Sequence, residues 1–594
     1  MNKGNVALRQ AWAIFLGFSC MVLAAVPSVP AQEAPVRGVV SPSGTATWAD
    51  HVRFQAARPE YGRETPREIP FIPMVMESIA PGSQPPSVLP DAGDTPAANG
   101  DQTSPEAGVT PSDNADGSGP LIPVIAGFPA LEDNNARIPP DTMGAVGPNH
   151  LMTMLNTEVR IQDRTGANLG TVSLATWWTN GTTLSGVPFD PRIIYDTLSG
   201  RWMAVVDANW DTTTSRIWFA VSATSDPTGA WTYYEFNQES PTINTLWHDF
   251  PDIGTNKNWV VLTNNMYTDG DEFSGLGVTA LDKSTLGGAV AYTTLPQGED
   301  NWGGYYGATL RPAVTFDPAE ENLYMVDGNT QTVPSHGLLR LSMITGTPAS
   351  PSWSFVPDSG GPYSGSGFFP SPESYDTNQI DAAQLGTTTL VNTNDARIQN
   401  AVFRNGRLWF THSAGGPSGA TIDRTLVCWY QVDPLLLNTT GAPTVQSGTL
   451  DPGAGGHYFF PSIAVNSSND AALGFSESNA GIYVQAVATG RRSADAAGTM
   501  DPISVLKAGE DSYVKDFGYG RVRWGDYSAT VVDPVDDTTF WTIQEYVETD
   551  VGEYQADDRW GTWWSHIGTA GSTGADCHYF MIPTKDGKVI PICL

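Results

Sequence analysis

Seven short segments of the chain open on side chains able to do chemistry: Asp141, Arg192, Asp252, Arg311, Arg397, Ser462 and Asp526, the last followed at once by Tyr527. Arginine carries a planar fork of N–H donors, and three such forks can hold a carboxylate, a sulfate or a sugar acid through paired hydrogen bonds. Aspartate serves as general acid or base, and tyrosine as nucleophile or proton donor. The sequence therefore nominates Asp526, Tyr527 and Asp252 as catalytic candidates, with Asp141, Arg192, Arg311, Arg397 and Trp524 as the ligand-binding set. Such a constellation suits a hydrolase or lyase of acidic glycans. The alternative is structural, because charged residues that head strands pair with one another, and ion-pair networks mimic functional ones. The run Trp524-Gly525-Asp526-Tyr527-Ser528 is the most distinctive of these segments.

Asp207, Asn209 and Asp211 set oxygen ligands at alternate positions, a donor set that a hard cation such as structural calcium accepts. The glycine and distal glutamate of an EF-hand loop are absent, and solvated turn acids are the alternative reading. Asp533 with Asp536 and Asp537 is a weaker version. The histidines are scattered and form no close pair, so spacing alone makes no histidine metal site. No nucleophile elbow, P-loop or dinucleotide fingerprint is present, which leaves serine-hydrolase and nucleotide chemistry unsupported. Trp177-Trp178, Trp302 with Tyr305-Tyr306, and Trp563-Trp564 offer flat rings for sugar faces or, equally, for packing between repeats.

Groups so far apart in sequence meet only if repetition brings them together. One hairpin pattern recurs: a small or charged residue, an apolar strand, a polar turn, then a strand rich in Trp, Met and Val. It spans residues 141–155, 190–206, 250–263, 311–326, 397–411, 460–475 and 524–543. Further strand-like runs follow most copies, and no helical period interrupts them. Radial stacking of four-stranded sheets explains such repetition, since each sheet buries its faces on its neighbours. The expected fold is all-β, a seven-bladed β-propeller over residues 121–571, with six or eight blades as the alternatives.

The flanks read differently. Residues 1–31 have a basic start, an apolar run from Ala11 to Val26 and a small-residue cleavage site at Val29-Pro30-Ala31, the pattern of a signal peptide. Residues 32–120, rich in Pro, Gly, Ser and Asp, read as a low-complexity, largely disordered linker. Residues 572–594 read as a C-terminal hairpin or tail, in which Cys577 and Cys593 are placed to pair if the chain is exported. Thirty Lys+Arg against 63 Asp+Glu give a net charge of −33, which repels nucleic acid and anionic membranes. No later stretch is long and apolar enough to span a bilayer. The expectation is a secreted monomer without a membrane span.

The runs at residues 139–152 (PPDTMGAVGPNHLM), 189–202 (FDPRIIYDTLSGRW) and 523–541 (RWGDYSATVVDPVDDTTFW) resemble a group of secreted bacterial propeller proteins. The likeness covers roughly residues 125–570 and implies architecture and export rather than a reaction. Thr224 to Trp231 is similar, more loosely, to the aspartate box of sialidases, a structural turn, with one residue fewer before the tryptophan. Two functions follow as expectations. The first is a propeller that binds an extracellular glycan or protein through the face at its channel mouth. The second is a sialidase-like glycoside hydrolase or polysaccharide lyase acting on an acidic glycan.

Overall fold

In the repeat units, successive residues on both sides of a strand are apolar, so each sheet must be covered on both faces. The structure, a computed structural model, describes residues 35–62, 67–68, 122–210, 214–237, 246–270, 272–295, 308–333, 336–357, 365–552, 558–569, 579–583 and 589–593. Its strands form a seven-bladed β-propeller.

Blade 1 comprises Met143–Val146, His150–Met154, Glu158–Asp163 and Asn168–Ser173. Blade 2 comprises Pro188–Asp196, Arg201–Ala208, Arg216–Ser222 and Ala230–Phe236. Blade 3 follows with Leu246–Thr255, Trp259–Thr268, Phe273–Asp282 and Val290–Thr294. In blade 4 the strands are Ala308–Pro312, Leu323–Val333, His336–Thr347 and Ser350–Phe355. Blade 5 uses Asn400–Arg404, Arg407–Gly416, Arg424–Val432 and Thr444–Leu450. Blade 6 uses Gly456–Val465, Ala471–Asn479, Ile482–Arg491 and Ser504–Lys507. Blade 7 takes Ala529–Val532, Phe540–Glu548 and Arg559–Ile567 from its own region, and its outer strand, Val124–Glu132, from ahead of blade 1. This last pairing closes the ring, so that no blade is left with an open face.

Strand periodicity decides which blade each side chain meets. Along Arg201–Ala208, Trp202, Ala204 and Val206 join the core shared with blade 1, while Met203 and Val205 join the core shared with blade 3. Equivalent apolar clusters fill the other blade interfaces. The paired aromatics belong to these cores: Trp177 and Trp178 are fully buried, as are Trp563 and Trp564, whereas Trp302, Tyr305 and Tyr306 lie outside the described residues. Near the axis the inner strands almost touch. A Cβ built on Gly254 of blade 3 would stand 2.6 Å from the Pro312 backbone of blade 4, which requires glycine there.

The turn after residue 223 of blade 2 is held by its own side chains. The Asp226 carboxylate accepts from Thr228 N and Thr228 Oγ1, and the Trp231 indole donates to Pro227 O at 2.8 Å.

The expectation of a linker from residue 32 onward fails for residues 35–62. Val36–Val40 adds a fifth strand to blade 3, and Gly44–Thr47 adds one to blade 2. Helix Trp48–Ala57 follows, with a reciprocal cap between Thr47 and Asp50. Trp48 is buried and donates to Leu169 O at 3.0 Å, and His51 bonds the Tyr233 hydroxyl at 2.9 Å. Composition averaged over a long Pro- and Ser-rich segment hid the local Thr47-Trp48-Ala49-Asp50 capping signal. Most of the remaining linker and the signal-peptide segment lie outside the described residues. At the other end, Tyr579–Pro583 pairs with Val589–Cys593, and Val589 meets Gly127 of blade 7's outer strand. Cys577 lies outside the described residues. No helix among the described residues is long and apolar enough to cross a membrane.

Candidate functional site

Several inner strands enter their blades through a bulge. The ladder slips between Phe189 and Arg192, Asp249 and Asp252, Ala308 and Arg311, and Phe459 and Ser462. The first residue inside each slip, Asp190, Phe250, Thr309 and Phe460, takes a positive φ, and Asp141 does the same two residues ahead of blade 1. A left-handed non-glycine residue is unfavourable alone and persists only where its surroundings over-determine it. A bulge of this kind re-aims the side chains that open blades 2, 3, 4 and 6.

At the axis the expected convergence occurs. The guanidinium carbons of Arg192, Arg311 and Arg397 lie 5.4, 4.4 and 4.3 Å from the centre of the Phe250 ring. Arg192 also covers Tyr527 at 3.3 Å, and Tyr527 meets Phe250 edge-on at 5.9 Å. Desolvated cations over aromatic faces are each worth about 2 kcal/mol. Arg397 forks onto Asp395 at 2.7 and 2.6 Å, Arg311 faces Asp252 at 3.1 Å, and Arg523 holds Asp526 at 2.6 Å. Asn394 donates to the same Asp526 oxygen, Oδ1, at 2.8 Å. Tyr527 donates to Pro191 O at 2.9 Å. Asn156 ties two blades together, donating to Asp141 Oδ2 at 2.6 Å and accepting from Asp190 N at 2.7 Å.

This group is sealed: Asp141, Arg192, Arg311, Arg397, Asp526 and Tyr527 are all buried. Burial, then the charges of Asp526 and Asp190, holds the Asp141 carboxyl well above the usual carboxylate range. Burial and Asp526 push Asp190 up to about 6. Asp207 and Asp249 are raised too, by burial and then by Asp190. Burial and the neighbouring Arg192 bring Arg311 down to about 9. Burial, followed by Asp141, keeps Tyr527 in its neutral phenol form.

Below this plug the inner strands surround a channel walled by Val146, Ile194, Val314, Val402, Ala464 and Val532, reaching up to Arg192 and Asp252. The channel has room for water molecules. The Nη2 atoms of Arg192 and Arg311 have no hydrogen-bond acceptor among the described residues.

Three sequence expectations need correction. Trp524 is a core residue: it is buried, donates to Ser476 Oγ at 3.0 Å and packs edge-on against Tyr513. Asn209 does not face the same way as Asp207. It lies past the strand end with φ of 65°, and its side chain is used on Val187 N and Thr214 O, so strand alternation no longer applies. Asp211, the third member of that triad, lies outside the described residues. Ser462 joins Ser528 and Thr530 in a hydroxyl network at 2.9 and 2.8 Å instead of the arginine cluster. The histidines do not gather either: His248 bonds Ser215, His412 bonds Ser413 O, and His457 bonds Thr425.

Sequence reading missed Phe250, Asp190, Asp249, Asp395 and Arg523. The signal for two of them was proline: Asp190-Pro191, Phe250-Pro251 and Phe460-Pro461 each mark a bulge, and aligning them would have placed Asp190 and Phe250 on the axis. Two acidic groupings come close enough to hold a metal ion, Asp141 with Asp190 and Asp526, and Asp533 with Asp536 and His566.

No protein-family model matches the chain, and no curated protein matches it in sequence. Among solved structures, it is similar to the polysaccharide lyase Uly1 at 9% identity and a TM-score of 0.39, over 73% of this chain and 90% of that one. The Synechocystis apocarotenoid oxygenase matches at 10% identity and 0.33, over 62% and 74%. A Trypanosoma rangeli sialidase bound to 2,3-difluorosialic acid matches at 10% and 0.30, over 65% of this chain and 55% of that one. A lyase, an oxygenase and a sialidase share no chemistry, so these likenesses carry no activity to this chain.

Proposed function

We propose that this chain is a secreted, non-catalytic propeller that recognises an extracellular acidic glycan at the mouth of its channel. The observation that carries the reading is the trio Arg192, Arg311 and Arg397 around Phe250, with guanidinium N–H groups on Arg192 and Arg311 lacking acceptors among the described residues. Buried donors left unmatched favour an anionic acceptor, and a pendant carboxylate or sulfate suits the narrow channel. Binding is favoured over turnover because the catalytic candidates are already engaged: Asp526 by Arg523, Asp252 by Arg311, and Tyr527 by Pro191 O. One observation favours the enzyme alternative, a glycoside hydrolase or polysaccharide lyase. Asp190, with its carboxyl near 6, has the acidity of a general acid. Export by the signal-peptide segment, a monomeric state and calcium as a structural ion belong to the same reading.

Affinity electrophoresis of the mature protein in gels cast with polygalacturonate, hyaluronan or neutral dextran tests it. Retardation by an acidic gel, absent in dextran and reduced at least tenfold in Arg192→Gln, is the expected result. Release of reducing ends or unsaturated uronides would transfer the case to the enzyme, and failure of every acidic polymer to retard the protein would end the glycan reading.

A further inference from the structure

The charges of the axial plug do not balance. Asp395, Asp252 and Asp526 are matched by Arg397, Arg311 and Arg523. That leaves Asp141, Asp190, Asp207 and Asp249, all buried, against Arg192, whose guanidinium lies over Tyr527 and Phe250. Burying unmatched carboxylates is strongly unfavourable unless a proton or a cation neutralises them.

The geometry selects a cation. One oxygen from each of Asp141, Asp190 and Asp526 lies within 4.8 Å of the others, close enough for all three to reach one ion. Asp141 and Asp190 each keep an oxygen available. Asn156 holds Asp141 by Oδ2 and leaves Oδ1 without a partner, and Oδ1 of Asp190 also has none. Both donors to Asp526 end on Oδ1. An independent observation comes from the neighbouring strand. Asp207 is fully buried with neither carboxylate oxygen hydrogen-bonded, and it stands opposite Phe189, the residue before Asp190, in the ladder. Asp249 Oδ1 is likewise unpartnered beside Asp190. All the donors are oxygens, which favours a hard cation, and their burial favours calcium over magnesium, which gives up its waters reluctantly.

We propose that Asp141, Asp190 and Asp526 bind a calcium ion on the propeller axis, with Asp207 and Asp249 lending their charge from behind Asp190. The ion joins blades 1, 2 and 7, which a ring closed by hydrogen bonds otherwise leaves to their packing. This site rests on the structural calcium of the proposed function and is independent of its glycan part: it uses the carboxylates, and glycan recognition uses the arginines.

The test uses the full mature protein, stripped with EDTA and titrated with calcium, magnesium or terbium. The expected result is one calcium per chain by calorimetry, a rise in melting temperature with calcium greater than with magnesium, and terbium emission sensitised by the adjacent Tyr527. Asp190→Asn should weaken calcium at least tenfold, and Asp536→Asn should leave it unchanged. If Asp190→Asn does not fold, Tyr527→Phe provides the second measurement and should at least halve terbium emission. Absence of stoichiometric calcium binding overturns the proposal and leaves shared protons as the neutralising species. Calcium binding that survives Asp190→Asn, or that is lost in Asp536→Asn, also overturns it by placing the ion elsewhere.

Discussion

The two acidic clusters are built from the same residue type and end in opposite states. In the Asp533 cluster every carboxylate oxygen is used. Asp533 takes Arg164 and the Trp541 indole on Oδ2 and Val535 N on Oδ1, while Asp536 caps its own turn through Thr538 and Thr539. His566 stacks on Trp541 at 4.4 Å and bonds Thr539. In the axial plug Asp141, Asp190, Asp207 and Asp249 all retain carboxylate oxygens with no hydrogen-bond partner. Both aspartates of the Asp533 group lie in one hairpin turn, where backbone N–H groups are at hand to satisfy them. The axial group is assembled from separate blades, each of which delivers a carboxylate without its own donors. A locally made cluster closes on itself, and one made by convergence stays open to a ligand.

The largest expected effect tests this contrast directly. Arg523 is fully buried and matches Asp526, so Arg523→Ala should lower stability by about 3–5 kcal/mol in urea melts, as for any buried pair robbed of one partner. Arg164 is one-quarter exposed, and Arg164→Ala should cost about 2 kcal/mol less. Equal losses would mean that the plug is no more strained than the turn.

The N-terminal helix supplies a simpler buried group, facing only Asp50 and Tyr233 among titratable neighbours. Burial lowers His51 from its ordinary value near 6.5 to about 4, so the neutral ring is favoured when docked. The undocked helix therefore binds the extra proton below pH 6.5. Docking is strongest above that value and weakens, by on the order of 3 kcal/mol in all, as pH falls to about 4. Hydrogen exchange of residues 48–57, corrected for intrinsic rates, should rise over this window, and His51→Gln should flatten the profile.

Smaller effects sharpen the roles of single groups. Tyr527→Phe leaves the buried Pro191 carbonyl without its donor and should cost about 1–2 kcal/mol, with glycan retention intact. Loss of retention with an unchanged melt would instead give the phenol a direct part in the site. Asp536→Ala removes turn hydrogen bonds near the surface and should cost about 0.5–1 kcal/mol in thermal melts.

Much of the architecture was readable from local pattern. Residues 190–206 and 460–475 carry strand periodicity and turn residues within a few positions, and each became the inner hairpin of a blade. The strap at residues 35–62 was not readable, because its strands are completed by edges of blades 2 and 3. At the site, Arg192, Arg311 and Arg397 were legible as strand openings. Phe250, around which they gather, looked like any core aromatic, because its one local mark, the following Pro251, has meaning only when aligned with Asp190-Pro191 and Phe460-Pro461. Trp524 misled for the same reason: its run is distinctive, yet its indole turns away into the cluster around Tyr513.

The sequence alone determined an all-β chain of seven hairpin repeats, because alternation, turn chemistry and β-branched content act over a few residues. Only the tertiary structure decided which charges are paired and which remain open. Pairing depends on the ring of blades, which brings Asp141, Asp190 and Asp526 together from distant parts of the chain and buries them there.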